Sequence, residues 1–122
     1  MKKYEKIIPE FTKKPWGSFW QFIQNHPCTV KILNLNPKEE LSLQYHYKRD
    51  EFWFILDGEG EILIGTKILK AVKGKKFYIF RKTKHQAKAL ANNLQILEIS
   101  LGQFEEKDIV RLSDKYNRLN KK

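Results

Sequence analysis

LSLQYHYKRDEFWFILDG, residues Leu41 to Gly58, brings three potential metal ligands close together: Gln44, His46 and Glu51. Side chains along a strand alternate between faces, so Gln44 and His46 share one face and Tyr45 and Tyr47 take the other. The polar run Tyr47 to Asp50 suits a turn or bulge, and Glu51 opens a second apolar run that closes on Asp57-Gly58. Asp-Gly after an apolar run is a turn signal. The expectation is therefore two antiparallel strands, 41–47 and 52–56, that meet with Gln44, His46 and Glu51 near one mouth. A fourth candidate, His85, arrives 34 residues after Glu51. Imidazole, carboxylate and carboxamide oxygen form a mixed nitrogen and oxygen set. It suits one divalent ion of zinc, manganese, iron, nickel or cobalt better than a soft-ligand metal. A His and a Glu five residues apart also arise by chance, so the rest of the chain has to supply the context.

Outward from this stretch the chain reads as short apolar segments between turn residues. Residues 20–23 and 29–35 are expected strands broken by His26-Pro27, and Asn36-Pro37-Lys38 is a turn. Segments 61–65, 68–72, 77–80 and 87–90 continue the series, and after a turn at Asn92-Asn93 the run 94–101 is a long patterned strand. About eight to ten strands, with turns every 8 to 12 residues, are the signature of an all-β sandwich or barrel. Only the tail, 105–120, has helical character. Residues 1–13 read as an N-terminal arm, and 14–122 as one domain. Trp16, Phe19 and Trp20 follow the turn at Pro15 and Gly17, and burial as a cap on the core is the first expectation for them. The alternative for Trp16 is an aromatic face against a sugar ring.

Composition narrows the function. Hydrophobic residues make up 41% and aromatics 13%, enough for a core and against disorder. No apolar run approaches the ~18 to 20 residues of a membrane span, and no apolar h-region marks a secretory signal. The single Cys28 cannot form an internal disulfide, which fits a cytoplasmic protein. The net charge of +10 would suit nucleic acid, an acidic membrane or a phosphorylated small molecule. No helix-turn-helix, zinc-finger or RNP-type pattern is present, so nucleic acid and membrane are not expected partners and a phosphorylated sugar is.

With these segments in hand, the chain resembles the cupin family, whose barrel is a double-stranded β-helix or jelly roll. The first cupin motif is matched by Gln44-x-His46, Glu51 and Gly58. The second would run from Gly74 to His85, with Phe80 and Lys82 where Pro and Gly are usual. The chain is more closely similar to the cupin domain of type II phosphomannose isomerases, usually fused behind a mannose-1-phosphate guanylyltransferase domain. The likeness rests on Lys14-Pro15-Trp16-Gly17-Ser18-Phe19, Leu41 to His46, Arg49-Asp50-Glu51-Phe52-Trp53, and Asp108-Ile109-Val110-Arg111 with Asp114, Tyr116 and Arg118. The family usually has Arg at Lys14, His at Tyr47 and Lys48, and often His at Phe52. No glycine-rich nucleotide loop is present, so guanylyl transfer is not expected of this sequence.

The resemblance implies interconversion of mannose 6-phosphate and fructose 6-phosphate through an enediol. Gln44, His46, Glu51 and His85 would hold the metal, which polarises the sugar oxygens at C1 and C2. A single carboxylate with two His and a neutral Gln leaves positive charge there to favour an enediolate. Arg49 and Glu98 are the candidate catalytic residues, Arg49 for charge and Glu98 as a base if it faces the interior. Lys14, Trp16, Lys84, Arg111 and Arg118 are the candidate substrate contacts. Two other readings remain open: a non-catalytic sugar-phosphate or nucleotide-sugar binding cupin, and a different sugar-modifying cupin enzyme, such as a metal-free epimerase. A homodimer through edge strands is expected.

Overall fold

The computed structural model describes residues 7–116, and among these every regular element is a strand. In chain order they are β1 (Glu10–Lys14), β2 (Gly17–Gln21), β3 (Thr29–Leu35), β4 (Leu43–Tyr45), β5 (Arg49–Ile64), β6 (Lys67–Val72), β7 (Lys76–Ile79), β8 (His85–Gly102) and β9 (Val110–Ser113). β1 and β2 form a separate antiparallel hairpin. The other seven form one sheet in the order β6-β5-β8-β4-β9, with β3 added on β8 and β7 on β5. No helix is long and apolar enough to cross a membrane.

β5 and β8 organise the barrel. They pair antiparallel from Arg49↔Gly102 to Ile64↔His85, with register shifts between Ile55 and Asp57 and between Gly58 and Gly60. At these bulges the two strands bend together. The first half of β5 takes β7 as its other neighbour and the second half takes β6, while β8 takes β3 on one half and β4 on the other. This corrects two expectations. Asp57-Gly58 and Asn92-Asn93 are not chain reversals but the corner of two long strands: Gly58 (φ 90°) pairs with Leu94. A bulge needs the same left-handed, side-chain-free backbone that a tight turn needs, so the residue signal is shared. Nor do 41–47 and 52–56 pair with each other, since β4 pairs with β8 and β9.

The helical reading of the tail is also corrected within the described residues. Val110–Ser113 is extended and pairs with β4 through Gln44↔Arg111 and Tyr45↔Val110. The ladder groups of β4 need that partner, and tertiary pairing overrides a weak helical propensity.

Alternation along β5 and β8 builds two cores. Trp53, Ile55, Ile62, Leu94 and Ile96 point into the barrel with Ala71, Phe77, Ile79, Ala87 and Ala89. Full burial of one such large side chain is worth about 1.5–3 kcal/mol. Phe52, Ile99 and Leu101 face outward beneath Ile7, Phe22 and Ile23. Those residues cover the outer core; Trp16, Phe19 and Trp20 do not. Their exposures are 72%, 38% and 48%, and they pack within the hairpin, Trp20 on Phe11 and Trp16 on Phe19.

Candidate metal centre

At the end of the barrel beyond Trp53, the interior side chains change from apolar to polar. Continuing the inward parity of Trp53 and Ile55 brings Glu51 inward on β5. The register Glu51↔Ser100 and Trp53↔Glu98 sets Ser100 and Glu98 across from it on β8. His85 opens β8 next to Gln44 of β4, and His46 lies just past the end of β4. His46, Glu51 and His85 are each 2% exposed, and one potential ligand atom from each lies within 4.8 Å of the others.

Hydrogen bonding decides what these atoms can do. His46 Nδ1 is 2.6 Å from the carbonyl of Asp108, and His85 Nδ1 is 2.9 Å from that of Thr83. A carbonyl only accepts, so both Nδ1 atoms carry the proton and both Nε2 atoms present a lone pair to the centre. Burial pushes the His46 imidazole down to about 4, despite the Asp108 carbonyl, with the Arg49 and His85 charges adding to the fall. His85 is lowered too, again chiefly by burial. Neutral His46 Nε2 then stands 3.3 Å from Glu51 Oε2, and His85 Nε2 stands 3.5 Å from Glu51 Oε1. Two imidazole lone pairs and a carboxylate converging at that range form a donor group that could hold a cation, with the Arg49 guanidinium at one side of it. Outward Nδ1–H donation to carbonyls is the arrangement that orients histidine ligands. The donor set therefore fits a divalent metal of the borderline kind.

Two neighbours lock the carboxylate. Trp53 Nε1–H donates to Glu51 Oε1 (3.1 Å) and also to Glu98 Oε2 (3.2 Å). Arg49 Nε–H donates to Glu51 Oε2 (3.1 Å) while Nη1 reaches the Glu105 carbonyl (3.1 Å) and Nη2 lies 3.3 Å from His46 Nε2. The guanidinium also stacks 4.3 Å from the Phe104 ring, so Arg49 is a buried cation at the edge of the centre. Glu98 is pushed up to about 8, first by burial and then by the charge of Glu51 and a hydrogen bond with it.

The remaining candidates divide. Gln44 turns its carboxamide nitrogen to the backbone carbonyl and Oγ of Ser42, and its Oε1 accepts no hydrogen bond among the described residues. Arg111 is the cross-strand partner of Gln44, half-buried, and its Nε is buried with no acceptor among the described residues. Lys14 and Trp16 sit on the β1–β2 hairpin and Lys84 is exposed beside His85, so none of these three joins the centre. Arg118 lies outside the described residues. Asp108 and Trp53 shape the site without having been assigned a role from sequence, although both fall in segments that carry the family likeness. Lys82, where the motif usually has Gly, adopts φ 68° and donates its N–H to the His46 carbonyl (2.6 Å). The loop thus has the left-handed backbone that a glycine would supply there.

Comparison with known proteins gives the family and the fold. The family described as "Mannose-6-phosphate isomerase C-terminal" matches residues 3–114. Xanthan biosynthesis protein XanB of Xanthomonas campestris is 31% identical over 107 residues, 86% of this chain and 23% of that protein. A mannose-1-phosphate guanylyltransferase of Salmonella montevideo is 32% identical over 121 residues, 95% of this chain and 25% of its own length. The chain thus spans about a quarter of the curated relatives it matches. Among solved structures, Bacillus subtilis oxalate decarboxylase superposes with a TM-score of 0.65 at 20% identity, covering 71% of this chain and 24% of that one. The capsular polysaccharide assembling protein CapF of Staphylococcus aureus gives 0.64 at 17%, covering 87% and 34%. These likenesses establish the cupin fold.

Proposed function

Because the chain belongs to the mannose-6-phosphate isomerase C-terminal family, we propose that it is a metal-dependent isomerase interconverting mannose 6-phosphate and fructose 6-phosphate through an enediol. The observation that carries this reading is the convergence of two neutral, Nδ1-anchored histidines on the Glu51 carboxylate, with a second buried carboxyl, Glu98, on the neighbouring rung. His46, Glu51 and His85 would hold the metal, with the Gln44 oxygen as a fourth donor. When bound, the metal polarises the two sugar oxygens at which the carbonyl and hydroxyl exchange.

The residues around it supply the rest. Glu98, the buried carboxyl on the rung beside Glu51, takes the proton from C2 and returns it to C1 in its ionised form. Trp53 holds that carboxyl through its indole N–H, which it shares with Glu51. Arg49 lends fixed positive charge to the enediolate at no reorganisation cost, because Glu51 and the Glu105 carbonyl already orient it. Arg111, whose buried Nε has no acceptor among the described residues, anchors the phosphate.

The test is a coupled assay on mannose 6-phosphate with stripped protein, restoring zinc, manganese, cobalt or nickel one at a time. Turnover is expected with at least one ion and is lost in His46→Ala. Arg111→Ala should raise KM by about 10- to 100-fold, the worth of one hydrogen bond to a charged group. No turnover with any ion, alongside stoichiometric metal, would point instead to a binding role or another sugar. No turnover and no metal would remove the ligand set.

A further inference from the structure

His46 differs from the other two members of the centre in how it is held. Glu51 and His85 lie on the β5–β8 ladder. His46 belongs to no strand and has no ladder of its own. Its backbone carbonyl accepts from the N–H of Lys82, while its ring Nδ1 and the backbone N–H groups of the two residues that follow all turn to one residue 62 positions away. The carbonyl of Asp108 accepts from His46 Nδ1–H at 2.6 Å. The Asp108 carboxylate accepts from the backbone N–H of Tyr47 (2.8 Å) through one oxygen and of Lys48 (2.9 Å) through the other. The residue is 8% exposed, and its own N–H donates to the Glu105 carbonyl (3.0 Å), which closes the turn it sits in.

We infer that Asp108 is a positioning residue for the metal centre: its carbonyl fixes the tautomer and aim of His46 while its carboxylate clamps the two residues that follow. Two backbone N–H groups on one carboxylate are charge-assisted bonds, shorter and roughly twice as strong as neutral ones. They hold the loop at the point where a strand ladder would otherwise have held it. The same turn serves Arg49, since the Glu105 carbonyl accepts from Arg49 Nη1 (3.1 Å). The segment between β8 and β9 therefore holds residues 46–49 on their side of the centre. This inference rests on the metal reading above.

Cobalt titration of stripped protein, followed by its d–d absorption, tests it against a matched control. Asp108→Asn keeps an acceptor for one N–H but turns an amino group toward the other. It should weaken cobalt binding about 10- to 100-fold, as loss of an outer-shell partner typically does, with the melting temperature in chelator measured alongside. Glu106→Gln removes an exposed ion pair to Lys31 from the same turn and should leave affinity unchanged. Asp108→Asn with wild-type affinity, or an equal loss in Glu106→Gln, overturns the assignment. So does a lower melting temperature with unaltered affinity, which marks a merely structural residue. A wild-type measurement covers the case in which Asp108→Asn does not fold. Nitrogen-15 correlation spectra of the three histidines in chelator should show His46 protonated on Nδ1; protonation on Nε2 overturns the clamp. If wild-type protein binds no cobalt, the metal reading falls and this inference with it; cobalt binding by the wild type that Asp108→Asn leaves undiminished removes this inference alone.

Discussion

Glu98 shows how much one buried carboxyl can report. Its pKa is raised to about 8, so between the ordinary carboxylate range and pH 8 the folded state holds a proton that the unfolded chain has released. The stabilisation from the protonated form is complete below the unfolded value and is lost as pH rises through the folded one. Glu98→Gln, neutral at every pH, escapes that loss. In chelator, the variant should therefore be more stable than the wild type at pH 9, with the difference shrinking toward pH 5. Melting curves across that range check it, and a difference that grows toward pH 5 would show the carboxyl to be ionised in the fold. If the proposed isomerase reaction uses Glu98 as its base, the same variant should lose most turnover, because an amide cannot accept the proton. Strand parity singled out Glu98 as a candidate without deciding its face. The register Trp53↔Glu98 settles the face, because Trp53 is a core residue whose indole donates to the Glu98 carboxylate.

At the scale of elements, the bend in β5 and β8 is what lets one sheet wrap into a barrel. Gly58 makes that bend possible twice over. Its φ of 90° is strained for any L side chain, and a Cβ there would overlap the carbonyl oxygen of Asn93 on the neighbouring strand. Gly58→Ala should destabilise by about 2–3 kcal/mol, at the upper end for backbone strain. Urea denaturation measures this, and a loss under 0.5 kcal/mol, a surface-like value, would mean the corner relaxes freely. This element also marks the limit of what the chain discloses in sequence. Short apolar runs between turn residues announced an all-β barrel, and most strand interiors fall where the runs fall. The residue signals at Asp57-Gly58 and Asn92-Asn93 were legible, but not their meaning, because a bulge and a turn ask the same backbone of glycine and asparagine. Pairing partners were not legible either: β4 lies beside β8 and β9, whose residues follow it by 40 positions or more. The tail misled for the same reason, since its charged residues suit a helix locally while β4 requires a strand.

Across the whole molecule, the centre draws on segments that meet only in the folded barrel: the end of β4, both long strands, and the turn before β9. Sequence could nominate His46, Glu51 and His85, but the convergence of their ligand atoms belongs to the fold. A cation held there is bound by the native state and not by the unfolded chain, so metal affinity adds to global stability. At a free metal concentration 100 times Kd the gain is about 2.7 kcal/mol, roughly an 8 to 16 °C rise in Tm for a domain of this size. Stripped protein titrated with zinc or cobalt should therefore melt progressively later, as one cooperative unit, because both long strands carry the centre and the core alike. A His46→Ala/His85→Ala variant should melt at one temperature whatever the metal concentration. An undiminished rise in that double variant would locate the stabilising ion elsewhere on the chain. Metal that raises the transition of one probe but not another would mean that the centre and the barrel core unfold separately.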